Sequence, residues 1–210
     1  MHHDESTLPD DVDQLLLVAG YRKDPTLDDV ILTHLGDDQP RRRVLALRAA
    51  LRRGIISTAL WRVALEDKDV EVRREVLTLI AGVTLSDDAL FVLLIEALSD
   101  DDPLVVDGAV FALGEHLYQP ALGELIRVAG LHDDPRCRES AIAALGALGD
   151  DQARAVILAA LEDKPAVRRR AIVALANFEG PDIEAALARA SEDRDWQVRA
   201  AVDQLGRTEE

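Results

Sequence analysis

The side chains able to act as metal ligands, nucleophiles or proton carriers are few and scattered along this chain. Five histidines and one cysteine are present. His2 and His3 are adjacent near the start, His34 and His132 stand alone, and His116 follows Glu115 in a single Glu-His step. A zinc or di-iron centre needs three or four ligands at short or helix-paired spacing, and these positions offer no such set. Cys137 falls in a repeat position otherwise held mostly by valine, which predicts a buried, inert thiol rather than a nucleophile. A lone cysteine also excludes an internal disulfide. No glycine-rich phosphate loop follows a strand, and no segment reads convincingly as a strand. Catalytic residues, metal ligands and cofactor sites are therefore not expected, and any chemistry should be that of binding.

Charge is where the pattern lies. Arginines recur at 43, 73, 138, 168 and 199, with Val106 in the gap, so successive positions are 30, 33, 32, 30 and 31 residues apart. Around them, Asp69-Val70-Glu71-Val72-Arg73-Arg74, Asp102-Pro103-Leu104-Val105-Val106-Asp107, Asp134-Pro135-Arg136-Cys137-Arg138-Glu139 and Lys164-Pro165-Ala166-Val167-Arg168-Arg169 align without gaps. Weaker copies begin at Gln39-Pro40 and Asp195-Trp196. Six copies at one period mark a repeat architecture.

Each period reads as two helices joined by an acidic turn. The first carries an apolar stripe ending in leucine, as in Leu60-Trp61-Arg62-Val63-Ala64-Leu65 or Ala155 to Leu161. The second opens on an Asp N-cap in four copies and a proline one residue later in four copies. A carboxylate there accepts a bond from an otherwise unpaired N–H, and proline at the first helical position loses none. Within it, Cys137, Ala141, Ala144 and Leu145 recur as Val105, Ala109, Ala112 and Leu113, and as Val167, Ala171, Ala174 and Leu175. Small alanines on the contact rows allow close helix approach. Asp11 to Ala19 reads as a capping helix ending at Gly20, and residues 1–8 as a disordered acidic tail.

These motifs resemble HEAT repeats, in particular the short bacterial variety also found in phycobilin lyase subunits, over about Thr26 to Arg207. Ala144-Leu145-Gly146-Ala147-Leu148-Gly149-Asp150 is the fullest copy of the signature. The resemblance implies an all-α fold: an α-solenoid, or superhelix, of about six helix pairs with an N-terminal cap. The expected organisation is one domain over 9–210, with repeats near 26–53, 55–82, 87–118, 120–149, 151–178 and 181–207. It also implies that second helices line a concave groove and that turn acids and column arginines form a ladder between stacked repeats. Two departures stand out: Val106 in the arginine column, and a last copy whose Ala201, Val202 and Leu205 sit one residue out of register.

Composition sets limits on partners. The net charge of −16 opposes nucleic acid and anionic membranes at long range. Apolar content is 48% with only 3% aromatic, so the core must be built from aliphatic residues. No run approaches the roughly 20 apolar residues of a membrane span, and the start has no secretory pattern. A cytoplasmic setting is expected, with a monomer favoured.

Two surfaces emerge as candidates for binding. In the third repeat, if Val105, Ala109, Ala112 and Leu113 face the core, Phe111 faces the groove with Asp107 and Glu115 one turn to either side. The same position in the other copies holds Arg48, Thr78, Ala143, Val173 and Gln204. Phe111, Ala143 and Val173 would form an apolar strip with acidic edges, suited to an amphipathic or basic protein segment. The second surface is the arginine-rich helix bearing Arg41, Arg42, Arg48 and Arg52, either an anion or acidic-partner patch or neutralised by Asp10, Asp11, Asp13, Asp28 and Asp29. Trp196 is expected to seal the end of the stack. The leading reading is a non-enzymatic scaffold or adaptor for a protein partner, with no small-molecule substrate. Competing readings are a subunit of a bilin lyase or another protein-modifying assembly, suggested by the resemblance alone, and nucleic-acid binding, which the acidic groove centre opposes.

Overall fold

The acidic turns decide where each second helix starts. In the computed structural model, which describes residues 11–85 and 88–208, Asp69, Asp102 and Asp134 accept backbone N–H bonds from Glu71, Leu104 and Arg136 as N-caps, at 2.8 to 2.9 Å. Asp195 does the same for Gln197 at 2.9 Å. Pro40, Pro103, Pro135 and Pro165 each take the first helical position, where the missing N–H costs no bond. The residues expected to form a disordered tail, 1–8, lie outside the described residues.

Two compact units result, residues 1–82 and 83–210. The first contains α1 (Val12–Ala19), α2 (Thr26–His34), α3 (Pro40–Arg53), α4 (Thr58–Leu65) and α5 (Val70–Ala81). Here α1 and α2 both pack on α3, burying Leu16, Leu27, Ile31, Leu45 and Ala49 together. The α1 cap behaves as its sequence suggests, with Asp11 accepting from the Gln14 N–H at 3.1 Å and Gly20 at the C-cap.

The second unit contains α6 (Asp88–Ala97), α7 (Pro103–Glu115), α8 (Leu122–Leu131), α9 (Pro135–Leu148), α10 (Arg154–Ala159), α11 (Pro165–Leu175), α12 (Pro181–Ala190) and α13 (Trp196–Thr208). Helices α7, α9, α11 and α13 lie side by side in one layer, while α6, α8, α10 and α12 each pack against their own partner. The expected alanine rows are buried: Ala109, Ala112, Ala141, Ala144, Ala171 and Ala174. Among the described residues no strand occurs and no helix is long and apolar enough to cross a membrane. The fifth first helix is shorter than its apolar stripe suggests, because the chain tightens to a 3₁₀ turn over Ala160–Glu162, a common way to end a helix.

The glycine of the Ala-Leu-Gly signature has a packing reason. A Cβ on Gly146 would lie 2.6 Å from the Ala174 Cβ and 2.8 Å from its Cα, so α9 and α11 touch backbone to side chain there. Gly114 plays the same part toward Ala144, at 3.0 Å. Eleven residues after the arginine column, Gly54 (φ 68°) and Gly149 (φ 63°) end their helices in the left-handed conformation. The third repeat has Leu117 at this place with φ 47°, a conformation that costs a side-chain-bearing residue about 1 kcal/mol.

Candidate functional site

The arginine column forms the expected ladder within each unit. Arg43 places Nε and Nη2 2.6 Å from the two carboxylate oxygens of Asp67. Arg138 holds Asp163 in the same bidentate way at 2.6 and 2.7 Å, and Arg168 holds Asp193 at 2.9 and 2.7 Å. Each of these arginines also donates from Nη1 to a carbonyl of its own turn: Asp37, His132 and Asp163 respectively. One guanidinium therefore ties two successive turns together. The hydrogen bonds from Arg138 and Arg168 hold the Asp163 and Asp193 carboxyls below the usual carboxylate range, against the opposing effect of burial.

The rung missing at Val106 is missing on both sides. Five or six residues before each column position the turns hold Asp37, Asp67, Asp100, His132, Asp163 and Asp193. His132 stands in the fourth repeat, where the partner of a third-repeat arginine would be. Its Nδ1 accepts the Asp134 N–H at 3.1 Å, as Asp67 and Asp193 accept from Asp69 and Asp195 at 2.8 Å. The histidine thus keeps the turn-closing role of the aspartate while dropping its charge. Val106 is buried. The column of turn acids carries this signal in the sequence, once it is read alongside the arginines.

Cys137 is buried, its Sγ 3.1 Å from the Pro103 carbonyl oxygen. Burial, with Asp107 and Asp134 nearby, pushes its thiol up to about 12, so it stays protonated at neutral pH. Among the described residues no three His, Cys, Asp or Glu side chains come together as a metal site.

On the open side of the second unit, Phe111 is 56% exposed and Val173 51%, with Ala143 half-buried in the same column. Phe111, Gly114, Glu115, Ser140, Ala143 and Arg170 are among the residues lining a shallow pocket of about 320 Å³. A second pocket of about 320 Å³ adjoins Val173 and runs to Trp196, Gln197 and Ala200. Arg170 borders both. Of the flanking acids, Glu115 is exposed, while Asp107 accepts the Ser140 hydroxyl. Thr78 lies on α5 in the first unit, exposed, its hydroxyl donating to the Arg74 carbonyl at 3.1 Å, and the strip of the second unit comprises Phe111, Ala143 and Val173.

Trp196 does not seal the end of the stack: it is 67% exposed. It precedes buried Val198 by two residues, roughly 200° round the helix, so the side of α13 that packs inward carries Val198 and Ala201 instead. Its place in the pocket beside Val173 has no signal in the sequence beyond this spacing, which turns it outward.

In the first unit, each of the six α3 arginines finds a partner. Arg41 and Arg42 each lie 3.1 Å from Asp13, and Arg42 also lies 3.6 Å from Asp37. Arg48 grips Glu75 at 2.6 and 2.7 Å, Arg53 pairs with Asp28, and the Arg52 guanidinium sits 4.7 Å over the Tyr21 ring.

Comparison with known proteins agrees with this architecture. Residues 91–166 match the family model of HEAT repeats. The Escherichia coli protein YibA aligns over 90% of this chain and 71% of its own, at 19% identity and a TM-score of 0.67. A designed armadillo repeat protein solved in complex with the peptide (KR)4 aligns over 86% and 98%, at 14% identity and a TM-score of 0.61. Computationally designed armadillo repeat proteins for modular peptide recognition align over 94% and 99%, at 14% identity and a TM-score of 0.54. No curated protein sequence matches the chain significantly. The fold is that of the HEAT and armadillo α-solenoids.

Proposed function

We propose that the protein is a non-enzymatic adaptor that holds a segment of a partner protein along the α7–α9–α11 face, working as a monomer in a reducing cytoplasm. The observation that carries this reading is Phe111: a phenylalanine more than half exposed in the middle of a well-packed helix, above a shallow pocket and in line with exposed Val173. Large apolar side chains held rigidly in water mark surfaces that bind. The segment is amphipathic, setting an apolar side chain against Phe111 and Ala143 and a lysine or arginine against Glu115 and Asp107. Helices or extended chains laid in a groove are a recurrent mode of peptide recognition. That a structural neighbour holds an alternating Lys-Arg peptide is consistent with a basic segment here.

The test is a fluorescence-anisotropy titration with a panel of labelled amphipathic peptides containing lysine and arginine. Replacing one aromatic anchor at the centre of an interface commonly costs tenfold or more in affinity, so Phe111→Ala should weaken binding by about tenfold. Its thermal midpoint should stay near that of the parent protein. A strongly lowered midpoint would make Phe111 a structural residue, and a panel in which no peptide binds would defeat the reading.

A further inference from the structure

The strip is not uniform in charge along its length. Helix α7 contributes Asp107 and Glu115 and no cation between Pro103 and Glu115; α11 contributes Arg168, Arg169 and Arg170 and no anion between Pro165 and Leu175. One register column makes the change plain, reading Asp107, Glu139 and Arg169 on successive helices α7, α9 and α11. Arg168 is committed to Asp193 in the ladder. Arg169 and Arg170 share a single carboxylate, Glu139, at 4.0 and 3.6 Å, so one positive charge there is left unbalanced. Arg169 and Arg170 line the second pocket together with the exposed Trp196, and Arg169 also donates from Nη1 to the Gln197 Oε1 at 3.3 Å.

We propose that this surface selects a partner segment whose own charge changes sign along its length. Its basic part lies over Asp107 and Glu115 on α7, an apolar residue sits on Phe111, and its acidic part lies over Arg169 and Arg170 with a second apolar residue against Trp196. Adjacent packed helices lie about 8–10 Å apart, so the three steps from α7 to α13 span roughly 25–30 Å. At about 3.3 Å per residue an extended segment of eight or nine residues reaches from α7 to α13. The inference rests on the binding reading above and adds to it both the length of the segment and the order of its charges.

Two labelled nine-residue peptides of identical composition separate the possibilities. In the first, two lysines are at one end and two glutamates at the other, with a leucine beside each pair; in the second, the same charges alternate. Net charge is equal, so nonspecific attraction cannot distinguish them. The blocked peptide should bind the parent protein about tenfold more tightly than the alternating one, with the difference shrinking at high salt as exposed pairs are screened. The double variant Arg169→Glu/Arg170→Glu should lose that preference and bind instead a third peptide in which the glutamates are replaced by lysines. Trp196→Ala should weaken the blocked peptide severalfold. If both peptides bind equally and both depend on Phe111, the charge order is refuted while the binding surface stands. If no peptide of the set or of the wider amphipathic panel binds, the binding surface itself fails.

Discussion

Two helices of this chain carry three arginines in a row, Arg41 to Arg43 on α3 and Arg168 to Arg170 on α11, and they are not equally supplied with acids. On α3 the acids of α1, α2, the α2–α3 turn, the next turn and α5 reach five of the six guanidinium groups, and the Tyr21 ring lies against the sixth, Arg52. On α11 only Arg168 has a carboxylate to itself, and its two neighbours divide one between them beside exposed Val173 and Trp196. In each triplet the column arginine, Arg43 or Arg168, is a buried rung, and the difference lies in its neighbours: Arg41 and Arg42 have two carboxylates within reach, Asp13 and Asp37, where Arg169 and Arg170 have one. What separates them is the supply of acids on the neighbouring elements, not the arginines.

The largest effect is expected at the column arginine of α11. Arg168→Met removes a nearly buried guanidinium and leaves Asp193 without its partner, which should cost about 3 kcal/mol of stability by chemical denaturation. Arg170→Met, one turn-face away and half exposed, should leave the midpoint almost unchanged. The ladder also sets a pH dependence. Asp163 and Asp193 have carboxyls depressed below the ordinary value of 3.8, so the unfolded chain binds their protons more readily than the folded one. The stabilisation is complete above about pH 5, and it is lost as pH falls below 3.8 through the folded-state values. The Arg168→Met variant should show a shallower acid limb than the parent protein in stability measured from pH 5 to pH 2.

A smaller effect is expected where α9 meets α11. Gly146→Ala places a methyl 2.6 Å from the Ala174 Cβ, which forces the helices apart and should cost about 2 kcal/mol. Gly114→Ala, with 3.0 Å available, should cost less. An equal cost at both sites would mean that the close approach at α9–α11 is not what the signature glycine serves.

Smallest is the rung that the third repeat lacks. Val106→Arg alone buries a charge opposite a histidine and should destabilise the protein; His132→Asp alone should be nearly neutral, because the aspartate can still close its turn. Together they recreate the Arg138–Asp163 pair and should show a favourable coupling of about 1–2 kcal/mol in a double-mutant cycle. Additive effects would mean that the arginine column acts by packing alone.

Much of this was legible in the sequence because repetition averages away local ambiguity. Helix pairs, Asp caps, the buried Cys137 and the exposed Phe111 all followed from one register applied six times. Legibility failed where a residue depends on partners outside its own repeat. Nothing in Arg41-Arg42-Arg43 distinguishes it from Arg168-Arg169-Arg170 until the facing acids are in place. A large apolar residue such as Trp196 near the last repeat suggests a cap, whereas its spacing from buried Val198 turns it outward. The division at residues 82 and 83 has no marker in a repeat pattern that continues through it.

The proposed binding face on α7, α9 and α11 and the paired arginines of α3 can be told apart in solution. An NMR titration of ¹⁵N-labelled protein with the charge-blocked peptide tests both at once. Saturable shift changes should concentrate on amides around Phe111, Ala143 and Val173 and extend toward Trp196. Changes centred on Arg41, Arg48 and Arg52, with the Phe111 region silent, would place the binding surface on α3 instead.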